Sequence, residues 1–167
     1  MSPSPRWLAC YHEAGHCAVA LALSGEVAEV WIKDNGGGLC RQKPRMRLAE
    51  RAWAERFYCV TIAGQIACAR RFGEIGFSGS ASDYCLCREH TRFDEDERRT
   101  LWVNTEQLVE CNWRVVCLIA RALYCEGRLD RRRIIELLQP SEAVLSGAHG
   151  LRHRKRRPPR GRAPKSE

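Results

Sequence analysis

An H-E-x-x-H run near the N-terminus, His12-Glu13-Ala14-Gly15-His16, constrains this 167-residue chain more than any other feature. The flanking sequence favours helix, and residues four apart on a helix lie on the same face. Both imidazoles can therefore reach one metal ion. Glu13 is rotated by about 100° from His12, beside such a metal rather than on it, where a carboxylate can take a proton from water. The alternative is an exposed helix with two unrelated histidines.

Charge divides the chain into a body and a tail. The formal net charge is +8, but residues 147–167 hold eight of the Lys and Arg residues and one acid, Glu167. Residues 1–146 hold twenty basic and nineteen acidic side chains. We therefore expect one domain over 1–146 and a basic, disordered tail over 147–167. The tail has no interleaved aromatic residues for stacking on bases, so we expect nucleic acid to bind only non-specifically, through the tail.

The sequence gives no sign of a membrane segment or of disulfides. No apolar run approaches the roughly 18 residues that span a bilayer, and the stretch before the H-E-x-x-H helix is too short for a secretory signal. We therefore expect a cytoplasmic protein. The ten cysteines form neither C-x-x-C pairs nor zinc-finger spacings. Six of them occupy apolar positions of helix-like segments, where we expect reduced, buried side chains: Cys17, Cys59, Cys68, Cys111, Cys117 and Cys125.

The hydrophobic pattern predicts a mainly α-helical domain with a small β-hairpin after the first helix. We expect that helix to be buried at the centre of the domain, because its second half is apolar nearly all round. The 94–126 segment fits one long helix, or two with a break near Asn104-Thr105. Residues 76–82 are predicted to be a small, polar loop, with Ser82 as the next N-cap. Helices are predicted at 6–23, 46–72, 84–91, 94–126 and 131–138, and strands at 27–33 and 39–41.

A hydrolytic zinc site needs a third protein ligand besides His12 and His16, and leaves a fourth position for water. Asp83 stands out by context, on the first turn of a predicted helix after a Gly/Ser loop. Two cysteine ligands would close the site to water and make it structural. His90 is either a ligand or an exposed histidine at a helix end. The candidates in full are the acids, Cys85, Cys87, His90 and, at or in the tail, His149 and His153.

Four segments in a fixed order give the chain a family resemblance. The H-E-A-G-H run is followed by Ala63-Gly64-Gln65-Ile66-Ala67, by Phe72-Gly73-Glu74 and by Ser78-Gly79-Ser80-Ala81-Ser82-Asp83. Over about residues 7–139 this order resembles the peptidase domain of the FtsH family of membrane-bound, ATP-dependent zinc proteases. The resemblance implies a zincin-like helical fold, with Asp83 as the third ligand.

The chain departs from the FtsH pattern in two places. No Gly-x-x-x-x-Gly-Lys-Ser/Thr motif occurs, so the AAA+ ATPase module of the family is absent from this sequence. The Ala-Thr that commonly follows the ligand aspartate is replaced by Cys87-Arg88. We therefore expect this chain not to unfold substrates by itself, and expect a separate AAA+ unfoldase or a homo-oligomer as a partner. The metal-site residues themselves are all present.

The resemblance implies a zinc-dependent metalloendopeptidase that cleaves unfolded or flexible protein segments. Zn²⁺ would be held by His12, His16 and Asp83, and Glu13 would take a proton from the metal's water and pass it to the leaving amine.

The substrate would add as a further strand along the edge of strand 27–33, at Val30, Trp31 and Ile32, unless that strand is part of an ordinary core hairpin. The competing hypothesis is a catalytically weak peptide-binding or regulatory module that keeps the protease fold.

Overall fold

The computed structural model describes residues 3–42, 49–73 and 78–139, and these form a mainly helical domain with one small sheet. The predicted tail at 147–167, the end of the predicted domain at 140–146, and the ligand candidates His149 and His153 lie outside the described residues. The elements in chain order are α1 (Pro5–Ala22), β1 (Val27–Ile32), β2 (Gly38–Gln42), α2 (Glu50–Phe72), α3 (Ser78–His90), α4 (Glu95–Cys111), α5 (Trp113–Glu126), β3 (Arg128–Asp130) and α6 (Arg131–Leu138).

Helix α1 is the centre of the domain, as its composition predicts. Ser4 caps it, with the Ser4 hydroxyl accepting from the Trp7 amide at 3.3 Å, and Pro5 occupies the first helical position, where no amide is needed. Twelve consecutive residues, 9–20, are buried. Helices α2 and α5 and strands β1 and β2 all pack against it. Any side chain on its middle turns therefore faces another element.

The sheet has three strands in the order β2-β1-β3, and both pairings of β1 are antiparallel. The hairpin of β1 and β2 was expected, but β3 was not, because three residues with one buried side chain, Leu129, are too few to show a strand pattern. Leu129 pairs with Val30, and Arg128 with Trp31. Strand β1 is thus the central strand, and the prediction that Val30, Trp31 and Ile32 form an exposed edge is wrong.

Helix α3 begins earlier than the sequence suggests. It starts at Ser78, whereas the sequence predicted a loop over 76–82 with Ser82 as the N-cap of the helix; residues 76 and 77 lie outside the described part of the chain. Small residues such as Gly79 favour loops, but this preference is weak, and helix α3, which packs against α2, includes them. Asp83 consequently lies within the helix, one and a half turns from its start. Helix α2 begins at Glu50, after the predicted start; residues 43–48 lie outside the described part of the chain.

The long C-terminal helical region is divided into two helices, and the break is at Asn112 rather than near Asn104-Thr105. Thr105 is fully buried inside α4, and its hydroxyl donates to the carbonyl of Leu101 at 2.7 Å. The buried hydroxyl therefore has a hydrogen-bond partner within its own helix. Asn112 instead turns its side-chain amide back to the carbonyl of Leu108 at 2.8 Å. Helix α5 ends at Gly127 as predicted, with the left-handed φ of 71° that favours glycine.

The predicted burial of six cysteines is confirmed in part. Of the six cysteines predicted to be buried, Cys17, Cys59 and Cys68 are buried and Cys117 is partly so, whereas Cys111 and Cys125 are exposed. All ten are free thiols. Among the described residues, no helix is both long enough and apolar enough to cross a bilayer.

Candidate metal centre

Three side chains from two helices meet at the middle of α1. His12 and His16 lie one turn apart, with their ring centres 4.5 Å apart and their planes at 89°. Oδ2 of Asp83, from α3, lies 2.8 Å from Nε2 of His12 and 3.3 Å from Nε2 of His16. One ligand atom from each residue lies within 4.8 Å of the other two. Within the described part of the chain, this is the cluster that could hold a metal ion.

The donor set and its spacing fit a zinc ion. Zinc binds imidazole nitrogen and carboxylate oxygen at about 2.0–2.2 Å, so tetrahedral ligand atoms lie about 3.4 Å apart. The two carboxylate–imidazole separations, 2.8 and 3.3 Å, are somewhat shorter than that value, and all three ligand atoms lie within 4.8 Å of one another. Two imidazoles and one carboxylate leave a fourth position for water or substrate, as in hydrolytic sites.

The orientation of His16 is fixed by a backbone group. Its Nδ1–H donates to the carbonyl of Val60, on α2, at 2.7 Å. This hydrogen bond places the lone pair of the neutral ring on Nε2, the atom that points towards Asp83. Metal-binding histidines are commonly held in this way by a carbonyl or carboxylate behind the ring. Val60 therefore supports the site through its backbone, and its side-chain identity carries no signal of that role.

Helix α2 forms the floor of the site at Gly64. A Cβ atom built on Gly64 would lie 2.6 Å from Nε2 of His16 and 2.8 Å from Cε1 of His12. The two imidazoles thus rest directly on the α2 backbone. Close approach of the helices is made possible by a second glycine, Gly15, where a Cβ would lie 2.5 Å from the carbonyl oxygen of Ala63. The lack of a side chain at Gly64 and at Gly15 is therefore what allows α1 and α2 to come this close.

Glu13 lies beside the cluster and points towards the sheet. Its side chain is buried, at 6% exposure, and contacts Gly38 at the start of β2. A Cβ on Gly38 would lie 2.6 Å from Oε1 of Glu13, so any side chain at this position would displace the carboxylate. The predicted strands, 27–33 and 39–41, leave Gly38 in the connection between them. In the structure, the missing side chain at Gly38 lets the start of β2 lie in contact with Glu13.

Burial and mutual charge shift the pKa values of the site residues in the metal-free state. Burial raises the pKa of Glu13 to about 7. Burial, with the neighbouring His16, lowers the pKa of His12. Burial also opposes the charged form of His16, but the hydrogen bond to Asp83 and the charge of Glu13 outweigh it and raise this pKa to about 9. Burial disfavours ionised Asp83, yet its two histidine partners hold its pKa well below the usual range.

Of the other predicted ligands, Cys85, Cys87 and His90 are among the described residues, and none of them belongs to the cluster. Cys87 is buried on the side of α3 that faces α2, and burial raises the pKa of its thiol to about 12, which disfavours a metal-binding thiolate. Cys85 is exposed. The His90 ring packs with its edge against Phe57, 5.6 Å between ring centres. Val30, Trp31 and Ile32 lie on the central strand rather than beside the metal ligands.

Comparison with known proteins adds no identification. The sequence matches no protein-family model, and a search of curated proteins found no similar sequence.

Proposed function

We propose that this protein is a zinc-dependent metalloendopeptidase of the FtsH-like, zincin type. The observation that carries the proposal is the convergence of two imidazole nitrogens and one carboxylate oxygen beside a buried glutamate that is not itself among them. A structural zinc site usually has four protein ligands and needs no adjacent base. Three ligands with a carboxylate next to them favour hydrolysis.

Each side chain has a distinct task in the proposed reaction. His12, His16 and Asp83 hold the zinc ion, which when bound supplies a Lewis acid for the scissile carbonyl and lowers the pKa of water. Glu13 accepts the proton of the attacking water and donates it to the leaving amine. Val60 and Gly64 keep the imidazoles in place. The low exposure of Glu13 keeps bulk water from competing for its proton.

The strand that would bind the substrate peptide is β2 rather than β1, which the sequence predicted. Strand β1 is paired on both sides, whereas β2 is paired only with β1 among the described residues. Strand β2 also begins at Gly38, in contact with Glu13. An extended substrate that adds to the outer side of β2 would pass the base directly. We therefore assign substrate pairing to β2.

The proposed substrates are unfolded or flexible protein segments, since an extended backbone is needed to pair with a strand. A folded substrate would have to be opened first. We assign this step to a separate AAA+ unfoldase, with which a homo-oligomer of this chain could work. Zinc-dependent cleavage of casein, a loosely folded substrate, without ATP is the corresponding expectation for the isolated chain.

The decisive experiment combines metal analysis with Glu13→Gln. The purified protein should contain about one zinc per chain. Glu13→Gln should keep that zinc and lose casein cleavage by at least about a hundredfold, because proton transfer by a positioned residue contributes about 10²–10⁴ in rate. His12→Ala should lose both zinc and cleavage.

Two results would contradict the proposal. If the folded protein binds no zinc, even after reconstitution with the metal, the proposed zinc site is wrong. Full cleavage by the Glu13→Gln variant would show that Glu13 is not the base. Wild-type protein that binds zinc and peptide but cuts no flexible substrate would favour the regulatory or peptide-binding module instead.

A further inference from the structure

Strand β2 presents the backbone of Gly38 and Cys40 at its outer edge. Among the described residues β2 pairs only with β1. The amide of Lys33 donates to the carbonyl of Gly37 at 2.6 Å, so these two residues form a hydrogen-bonded pair across the hairpin. Opposite residues of antiparallel strands alternate between hydrogen-bonded and non-hydrogen-bonded pairs. Leu39 therefore bonds to β1, whereas the amides and carbonyls of Gly38 and Cys40 point to the outer edge.

This outer edge lies on the side of the sheet that is nearer to α2. On the other side of the sheet, β3 packs against α5. Gln42, the last residue of β2, accepts from Arg56 of α2 at 3.1 Å, and α2 also carries Gly64 beneath the imidazoles. At its other end, β2 contacts Glu13 through Gly38. A peptide paired with this edge would therefore pass Glu13 on the α2 side of the sheet.

Two side chains of β2, Leu39 and Arg41, stand on the face of the sheet away from α1. Side chains alternate along a strand, and the Gly38 position between β2 and Glu13 faces α1. Leu39 is 45% exposed. The Arg41 side chain is 60% exposed, and its Nε donates to Oε1 of Glu29 at 2.8 Å. Arg128 of β3 bonds to the other oxygen of that carboxylate, so the three charged groups keep a net charge of +1.

An antiparallel strand added to β2 would come closest to it at Leu39 and Arg41. The backbone groups of both residues are directed to β1, so both would form non-hydrogen-bonded pairs with the new strand. The Cα atoms of such pairs are about 4.5 Å apart, compared with about 5.5 Å in hydrogen-bonded pairs. Apolar pairs and pairs of opposite charge stabilise a sheet at these positions, and like charges destabilise it.

We propose that Leu39 and Arg41 select the substrate, favouring segments that carry an acidic side chain two residues from an apolar one. The inference rests on the proposed peptidase function and defines its substrate class. The apolar side chain would lie beside Leu39 and the acidic side chain beside Arg41. Arg41 is three residues from Gly38, so the acidic residue would lie about 10 Å along the strand from the position beside Glu13.

The test measures binding separately from cleavage. Three fluorescent peptides share a central segment Val-Ala-X-Ala-Val, which reads the same in both directions, with Glu, Gln or Lys at X. They are titrated into full-length, zinc-loaded Glu13→Gln protein in about 0.15 M salt, where charges that are not in close contact are screened. Anisotropy should show that the Glu peptide binds about threefold more tightly than the Gln peptide and about tenfold more tightly than the Lys peptide.

Two variants of Arg41 test its role in the same background. Arg41→Gln should remove the preference for Glu over Gln, and Arg41→Glu should make the Lys peptide the tightest ligand. If Arg41→Glu does not fold, Arg41→Gln decides the result. Leu39→Ala should weaken all three peptides by a similar factor, because their apolar residues are identical.

Arg128→Glu is the matched control. It changes the net charge as Arg41→Glu does, and it removes the other ion pair of Glu29. Arg128 is two strands away from β2, about 10 Å, which exceeds the Debye length at this salt concentration. We therefore expect Arg128→Glu to keep the order Glu, Gln, Lys.

The outcomes separate substrate selection from the peptidase. Equal binding of the three peptides, binding of none, or a Glu preference that survives both Arg41 variants would overturn the selection. A Glu preference that Arg128→Glu removes as well would also overturn it, because net charge would then be the cause. If the order inverts in Arg41→Glu but wild-type protein cleaves nothing, the peptidase proposal fails and the selective peptide-binding edge remains.

Discussion

At the scale of single residues, the candidate metal centre depends on two glycines, which have no side chain, as much as on the residues that would bind the metal. Gly64 and Gly38 carry no reactive group, yet a methyl group on either would collide with a histidine ring or with Glu13. Both glycines were visible in the sequence, one as an interruption in a helix and one in a turn. Only the structure shows that Gly64 leaves room for the imidazoles of His12 and His16, and Gly38 for the side chain of Glu13.

Replacing Gly64 with alanine should weaken metal binding without unfolding the protein. The new methyl would lie 2.6–2.8 Å from the two imidazoles, which must shift and lose their common focus. Groups that position metal ligands typically contribute about 10–100-fold in affinity, and we expect a loss in that range. Competition with a chromophoric zinc chelator measures it.

Gln65→Ala is the control for Gly64→Ala, because Gln65 is the next residue on α2, is exposed, and does not face the imidazoles. Away from such a contact, glycine to alanine inside a helix stabilises by about 1 kcal/mol. An unchanged zinc affinity together with a more stable Gly64→Ala protein would mean that the imidazoles do not rest on α2.

At the scale of elements, the helix ends are set by local side chains. Helix α4 begins with a capping box: the Asp94 carboxylate accepts from the Glu97 amide, and the Glu97 carboxylate accepts from the Asp94 amide, both at 2.8 Å. Glu97 also bonds to Arg51 of α2 at 2.6 Å. The start of α4 is thereby tied to the helix that supports the metal ligands.

Asp94→Ala should lower the free energy of unfolding by about 1 kcal/mol, because the Glu97 amide at the start of α4 loses its acceptor. Urea denaturation followed by circular dichroism measures the change. Asp96→Ala removes the same charge from the same turn without touching the box, and should cost less. Equal losses for the two variants would show that charge at the helix start, rather than the cap, is what matters.

At the scale of the whole molecule, the proposed zinc ion links α1 to α3 while both rest on α2. Helix α3 packs on α2, and the described contacts of Asp83 are with the two histidines of α1. Metal ligands held only in the folded state convert binding energy into folding stability. The position of α3 should therefore depend on the metal more than that of α5, which packs directly on α1.

Removing the metal should lower the melting temperature. At free zinc one hundred times the dissociation constant, binding adds about 2.7 kcal/mol to the stability of the fold. For a protein of this size that corresponds to roughly 5–10 °C, measurable by calorimetry with and without a chelator. His12→Ala should melt at the same temperature in both conditions. An unchanged melting temperature for wild-type protein whose zinc has been removed would contradict the coupling.

The sequence determined the local features. The helical spacing of His12 and His16, the burial of α1, the hairpin, the end of α5 at Glu126 and the bounds of α6 at 131–138 were all predicted, because each follows from a local hydrophobic period or from residues at the element's own ends. Asp83 was also selected from the sequence, by its context and by the family resemblance.

Tertiary structure decided what depends on residues far apart in the chain. A three-residue strand, Arg128–Asp130, turned β1 from an edge into the centre of the sheet and moved the proposed peptide path to β2. Residues 78–82 are helical in the structure, and Asp83, on the same helix, lies against the histidines. The carbonyl of Val60 and the surface of Gly64 completed the site, and backbone groups of this kind leave no signature in side-chain chemistry.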